Sequence, residues 1–183
     1  MTISKHRKAV LILAAVICIA FVLSLTSCSP KEKTPEDLFE GHSGNFDTTA
    51  NISYKDLSAT ARITRETPRS CSVTFSSPES LADVAFVFWD DRVDLNYKAM
   101  SFTFDPNSVP GAAVARLTAA AVNSALSGKG LAVQYADNAL TLSGALDSGS
   151  FTLRLDQGDQ RLLKLSIPDQ QLDVEFINFT FLD

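Results

Sequence analysis

Positive charge, histidine, cysteine and glycine-rich loops are all scarce in this chain. Its 183 residues include 16 Lys and Arg against 21 Asp and Glu, a net charge of −5 with His neutral. A nucleic-acid partner needs clustered cations to neutralise phosphates, so that class of function is excluded. No glycine-rich loop follows any strand-like run, which leaves no cradle for a phosphate. The two histidines are His6 and His42. His42 is flanked by Gly41, Ser43 and Gly44, a loop setting that does not hold an imidazole against a nucleophile. The three cysteines, Cys18, Cys28 and Cys71, have no CxxC-type spacing for a metal. Asp90, Asp91 and Asp94 invite a calcium site, yet Asp90-Asp91 falls where a hairpin turns and no ligand-rich loop surrounds it. With no catalytic group, metal ligand or cofactor motif, the chain is expected not to be an enzyme.

What is present begins at the N-terminus. Lys5, Arg7 and Lys8 precede an uncharged apolar run from Ala9 to Leu25, and the small residues Thr26 and Ser27 lead to Cys28. That order is the order of a cleavable secretory leader. The phrase Leu25-Thr26-Ser27-Cys28 also resembles the lipobox of bacterial lipoproteins. The resemblance implies that the Cys28 thiol is acylated with diacylglycerol and becomes the new N-terminus. Residues 1–27 then form the signal peptide and residues 28–33 a lipidated tether. The protein is thereby placed on the extracytoplasmic side of a cell membrane. The alternative is an uncleaved anchor, for the apolar run is 17 residues long and reaches about 26 Å as a helix. The abrupt change to Ser29-Pro30-Lys31-Glu32-Lys33 favours the lipid anchor.

Without the leader, 13 basic and 21 acidic residues remain in a chain sized for one domain, residues 34–183. An acidic surface gives no reason to lie on anionic lipid, so tethering falls to the acyl chains. Cys71 is left without a disulfide partner. It is in phase with Val73 and Phe75, which predicts a buried thiol acting as a small hydrophobe.

Thr34-Pro35-Glu36-Asp37 carries helix-start chemistry for one short helix. Six strand-like runs follow: from Phe46 to Tyr54, around Ala59 to Ile63, Cys71 to Phe75, Val84 to Trp89, Val93 to Tyr97, and Met100 to Phe104, most of them with period two. The fourth is apolar on both faces, as in a strand covered on each side. The period then changes. Ser108 to Ser127 is alanine-rich and stops at Gly128-Lys129-Gly130, which predicts a long helix. Ala113, Val114, Leu117, Ala121 and Ala125 form its stripe, with Arg116 and Asn123 well off it. Five more strands follow. The last changes phase between Phe176 and Ile177, which predicts a one-residue bulge.

Six strands, a helix and five strands resemble the lipoprotein carriers and receptors of the LolA/LolB type. The closing phrase Ile167-Pro168-Asp169 with Leu172, Val174, Phe176 and Asn178-Phe179 is similar to that family's ending. The resemblance implies a mainly β fold: a curved antiparallel sheet, an unclosed half-barrel, with the helix on its concave face. A simple barrel or sandwich with one helix is the structural alternative. The resemblance further implies non-enzymatic binding of an apolar or amphiphilic, lipid-like ligand. Phe86, Phe88, Phe102, Phe104 and Leu117 are the candidate lining, since pockets and cores draw on the same residue types. A surface-tethered interaction module without a cavity is the competing expectation.

Overall fold

Alternation of apolar and polar side chains builds an 11-stranded antiparallel sheet. The computed structural model describes residues 44–67, 69–108 and 114–182. The strands are β1 (Phe46–Tyr54), β2 (Leu57–Thr67), β3 (Ser70–Ser77), β4 (Val84–Trp89), β5 (Val93–Tyr97) and β6 (Met100–Phe104). Helix α1 (Val114–Leu126) follows, then β7 (Ala132–Ala136), β8 (Ala139–Leu146), β9 (Gly149–Asp156), β10 (Leu162–Ile167) and β11 (Leu172–Phe181). Each expected strand is present. The leader, Cys28, the tether, the expected helix at Thr34 and His42 lie outside the described residues. So does Ala113, and Pro106–Ser108 is a separate 3-10 turn rather than the start of the long helix.

The strand order is β6-β5-β4-β3-β2-β1-β11-β10-β9-β8-β7. The first and last strands pair in the middle, Phe46 opposite Phe181 and Ile52 opposite Val174. From there two meanders run outward, and the segment carrying α1 joins their far ends. The sheet is not closed, because β6 and β7 are its two margins and do not pair with each other.

Curvature follows from what the helix touches. Helix α1 packs against β3 and β4 on one arm and against β8 and β9 on the other. On a flat sheet the five steps from β3 to β9 would span about 24 Å at roughly 4.8 Å per strand, twice the width of a helix with its side chains. Both arms reach the helix only if the sheet wraps around it. This is the open half-barrel with the helix on the concave face.

Nearly all buried side chains project from that concave face. Phe46, Ala50 and Ile52 stand beside Ala59, Ala61 and Ile63 of β2, and beside Val174 and Phe176 of β11. Small residues on α1 bring it close: Ala115, Ala119, Ala121 and Ala125 are buried with Leu117 and Val122. The buried face is wider than the single expected stripe. Thr118 is also enclosed, its hydroxyl donating to the Val114 carbonyl at 2.9 Å. Gly128 adopts φ +68° at the helix end and donates to the Ala125 carbonyl. Asn123, placed off the stripe by the sequence, faces the sheet closely enough to accept a hydrogen bond from Arg65.

The phase change in β11 is a bulge, but it comes after Ile177, which pairs with Thr49 on the outer face and is 38% exposed rather than turned to the core. Asp47 pairs with Thr180 but Thr49 with Ile177, so two residues oppose one. Asn178 takes φ +52° there, and the Thr48 hydroxyl donates to the Ile177 carbonyl at 2.9 Å. Another expectation fails. The outer face of β4 carries no second layer among the described residues. Ala85 and Val87 are half-buried by their strand neighbours, and Trp89 is 36% exposed.

Candidate ligand-binding face

Strand register gathers four of the candidate side chains on the inner face. Phe86 stands opposite Val73 on one side and Leu95 on the other, and Leu95 stands opposite Phe102. A parallel row runs Cys71, Phe88, Val93, Phe104. Phe86 and Phe88 stack with ring centroids 6.2 Å apart.

Along both rows, burial falls toward the margin. In the first, Val73 is fully buried, Phe86 and Leu95 are half-buried, and Phe102 is 48% exposed. In the second, Cys71, Phe88 and Val93 are buried while Phe104 is 39% exposed. The candidate set therefore divides. Phe88 and Leu117 belong to the packed core, Phe86 borders it, and Phe102 and Phe104 stand open on the margin strand. Met100 is exposed beside them, and Tyr135 is exposed on the inner face of the opposite margin.

A polar group sits in this otherwise apolar interior. Arg65 continues the inner phase of Ala59, Ala61 and Ile63 and is buried. Its Nε donates to Asn123 Oδ1 at 3.1 Å and its Nη1 to the Gly44 carbonyl at 2.7 Å. It thus ties β2 to the helix and to the chain entering β1. Burial holds its guanidinium below the ordinary arginine value, partly offset by the neighbouring Cys71. The sequence offered one signal for this, the odd phase of β2 continued by a charged residue.

Cys71 is fully buried, and burial pushes its thiol up to about 12. It is a packing residue, as its phase predicted. No histidine occurs among the described residues. Asp94, one of the three acids weighed for calcium, lies on the outer face with its carboxylate already engaged. Its Oδ1 accepts from Thr103 Oγ1 at 2.7 Å, and its Oδ2 accepts from Trp89 Nε1 at 2.9 Å and from Arg92 Nε at 3.3 Å. The Thr103 bond leads in holding this carboxyl below the usual range, with Trp89 and Arg92 adding to it. Among the described residues no helix is long and apolar enough to cross a membrane.

No protein-family profile matches the sequence, and no curated protein does. Solved structures do match in shape. An uncharacterized conserved protein from Thermus thermophilus aligns at a TM-score of 0.55 with 15% identity, over 81% of this chain and 86% of that one. A chain from the complex of the CwlD amidase from Clostridioides difficile with the GerS lipoprotein aligns at 0.52 with 8% identity, over 85% and 100%. A LolA superfamily protein from Nitrosomonas europaea aligns at 0.42 with 12% identity, over 83% and 95%, too distant to bear on function. At these identities the likeness is one of fold, and that fold is the open antiparallel half-barrel with an inner helix which the resemblance to the LolA/LolB type implied.

Proposed function

We propose that this chain is a lipid-anchored extracytoplasmic lipoprotein that binds an apolar or amphiphilic, lipid-like ligand without catalysis. The ligand lies along the inner face of β4 to β6, beside the helix, from Phe86 out to Phe102 and Phe104. The observation that carries this reading is the continuation of two core rows into open aromatic side chains. An acyl chain laid along them extends the core by one more layer. Each half-exposed ring still has on the order of 1 kcal/mol to gain from full burial. Phe88 and Leu117 form the floor and flank of this surface.

Native mass spectrometry of the full chain purified from a bacterial envelope tests it. A lipid-sized mass is expected to travel with the folded protein and to leave on denaturation, which separates it from covalent acylation. The double variant Phe102→Ser, Phe104→Ser is expected to lose that mass while remaining folded, at a cost on the order of 1 kcal/mol for each half-buried ring removed. A ligand-free wild-type protein overturns the reading. One observation favours the rival, a surface-tethered interaction module. Strand β6 is a sheet margin bearing exposed Met100, Phe102 and Phe104, the form of edge that accepts a partner strand.

A further inference from the structure

All five residues of β6 are exposed, and among the described residues no strand lies beyond it. Its sequence, Met100-Ser101-Phe102-Thr103-Phe104, holds no charge and no proline, the features that ordinarily keep sheet margins apart. The turn before it has two residues, Lys98 and Ala99, between the paired Tyr97 and Met100. Such a flanking pair exchanges both backbone bonds, and bonded pairs alternate along an antiparallel ladder. Met100, Phe102 and Phe104 therefore direct their backbone groups to β5. Ser101 and Thr103 direct theirs outward, where they can take a further strand.

We infer that two copies of this chain associate through β6, antiparallel and edge to edge, about a two-fold axis at Phe102. In that register Ser101 of each copy exchanges backbone bonds with Thr103 of the other. Phe102 stands opposite Phe102, and Met100 opposite Phe104. Every match is of like kind, polar on the outer face and large and apolar on the inner. Charge selects the direction, because Lys98 and Asp105 flank β6 at its two ends. Antiparallel pairing sets the Lys98 end of each copy beside the Asp105 end of the other, whereas parallel pairing sets like charges together. The opposite margin, β7, has one large exposed side chain, Tyr135, where β6 has three. A contact of one short strand per copy is small, so the pair is weak and transient. It stands apart from the lipid-binding reading, because it uses backbone groups at the edge and leaves the rings on the inner face.

Sedimentation of the full chain in detergent tests this. A monomer–dimer equilibrium is expected, half-associated on the order of 0.1 mM. Ser101→Pro removes an outward N–H, which an edge strand tolerates, and is expected to weaken association about tenfold or more while remaining folded. Its N-terminal segment is unchanged, so a difference from wild type does not come from shared micelles. Oxidation with diamide reads the register. Phe102→Cys is expected to give a disulfide-linked dimer, since residues at the axis lie about 4.5 Å apart. Phe104→Cys is expected to give none, since its two copies lie about 14 Å apart at roughly 3.4 Å per residue. Neither readout depends on whether lipid travels with the chain. A chain still monomeric at about 1 mM overturns the proposal, as does growth past the dimer. So does association of Ser101→Pro as wild type, or equal cross-linking of the two cysteine variants.

Discussion

A Cβ added at Gly44 would lie 2.9 Å from Nη1 of Arg65, at a backbone φ of +67°. Two costs coincide there. A non-glycine residue in the left-handed region loses about 1–2 kcal/mol, and the displaced guanidinium weakens its bond to the Gly44 carbonyl. Gly44→Ala is therefore expected to lower stability by about 1–3 kcal/mol in urea denaturation; a loss under about 0.5 kcal/mol would rule the account out. Cys71 gives a pH prediction. Its folded thiol is raised from an ordinary value of 9.0 to about 12. The unfolded chain thus releases this proton first, and stability falls as pH rises through that window, by up to about 1.4 kcal/mol per unit. Wild type is expected to lose more stability than Cys71→Ala between neutral and strongly alkaline pH. Parallel losses would refute it. Cys71 was legible in the sequence because an apolar-sized side chain kept the phase of its strand. Arg65 was not, because a charge at an inner position reads as the end of a pattern until a helix is known to supply Asn123.

Among the elements, β11 shows how much alternation encodes. Leu172, Val174 and Phe176 face inward on even numbers, and Phe179 and Phe181 turn back toward the body on odd ones, with Phe179 stacked 5.1 Å from Phe46. The bulge at Asn178 absorbs the shift. Deleting Asn178 removes the extra residue and leaves one unbroken alternation, with Phe176, Phe179 and Phe181 all inward and Phe181 still opposite Phe46. The expected outcome is a variant that folds with a midpoint close to wild type and binds no hydrophobic dye. A clearly lower midpoint with new dye binding would mean that the bulge does more than absorb the shift. The helix was equally legible, since its period breaks with the strands around it. The outer face of β4 was misread for a physical reason. Ala85 and Val87 need only the cover of adjacent strands, and Trp89 is satisfied by Asp94 and Arg92 at the surface. Apolar residues on both faces therefore did not require two layers.

For the molecule as a whole, the pairing of β1 with β11 and the wrap of both arms around α1 were not readable from local pattern. The pairing joins residues more than a hundred positions apart and was not anticipated; the wrap brings β3 and β9 to one helix, and only the resemblance to the half-barrel family anticipated it. Membrane attachment belongs to this scale. The proposed attachment rests on the sequence of the N-terminal segment, where lipidation of Cys28 and an uncleaved anchor from Ala9 to Leu25 are the two candidates. They respond differently to one substitution. If the Cys28 thiol carries diacylglycerol, Cys28→Ala removes the acylation site and with it the hydrophobic attachment of the mature chain. Each acyl methylene contributes about 0.8 kcal/mol of membrane affinity, so two chains hold stably where none does not. The variant is expected to incorporate no labelled fatty acid and to be misprocessed or released from the membrane fraction. A spanning helix ignores the change, because a thiol three residues beyond Leu25 contributes nothing to its burial. Unchanged fractionation and unchanged labelling in Cys28→Ala would replace the lipid anchor with the helical one, leaving the half-barrel and its open aromatic margin on the same side of the membrane.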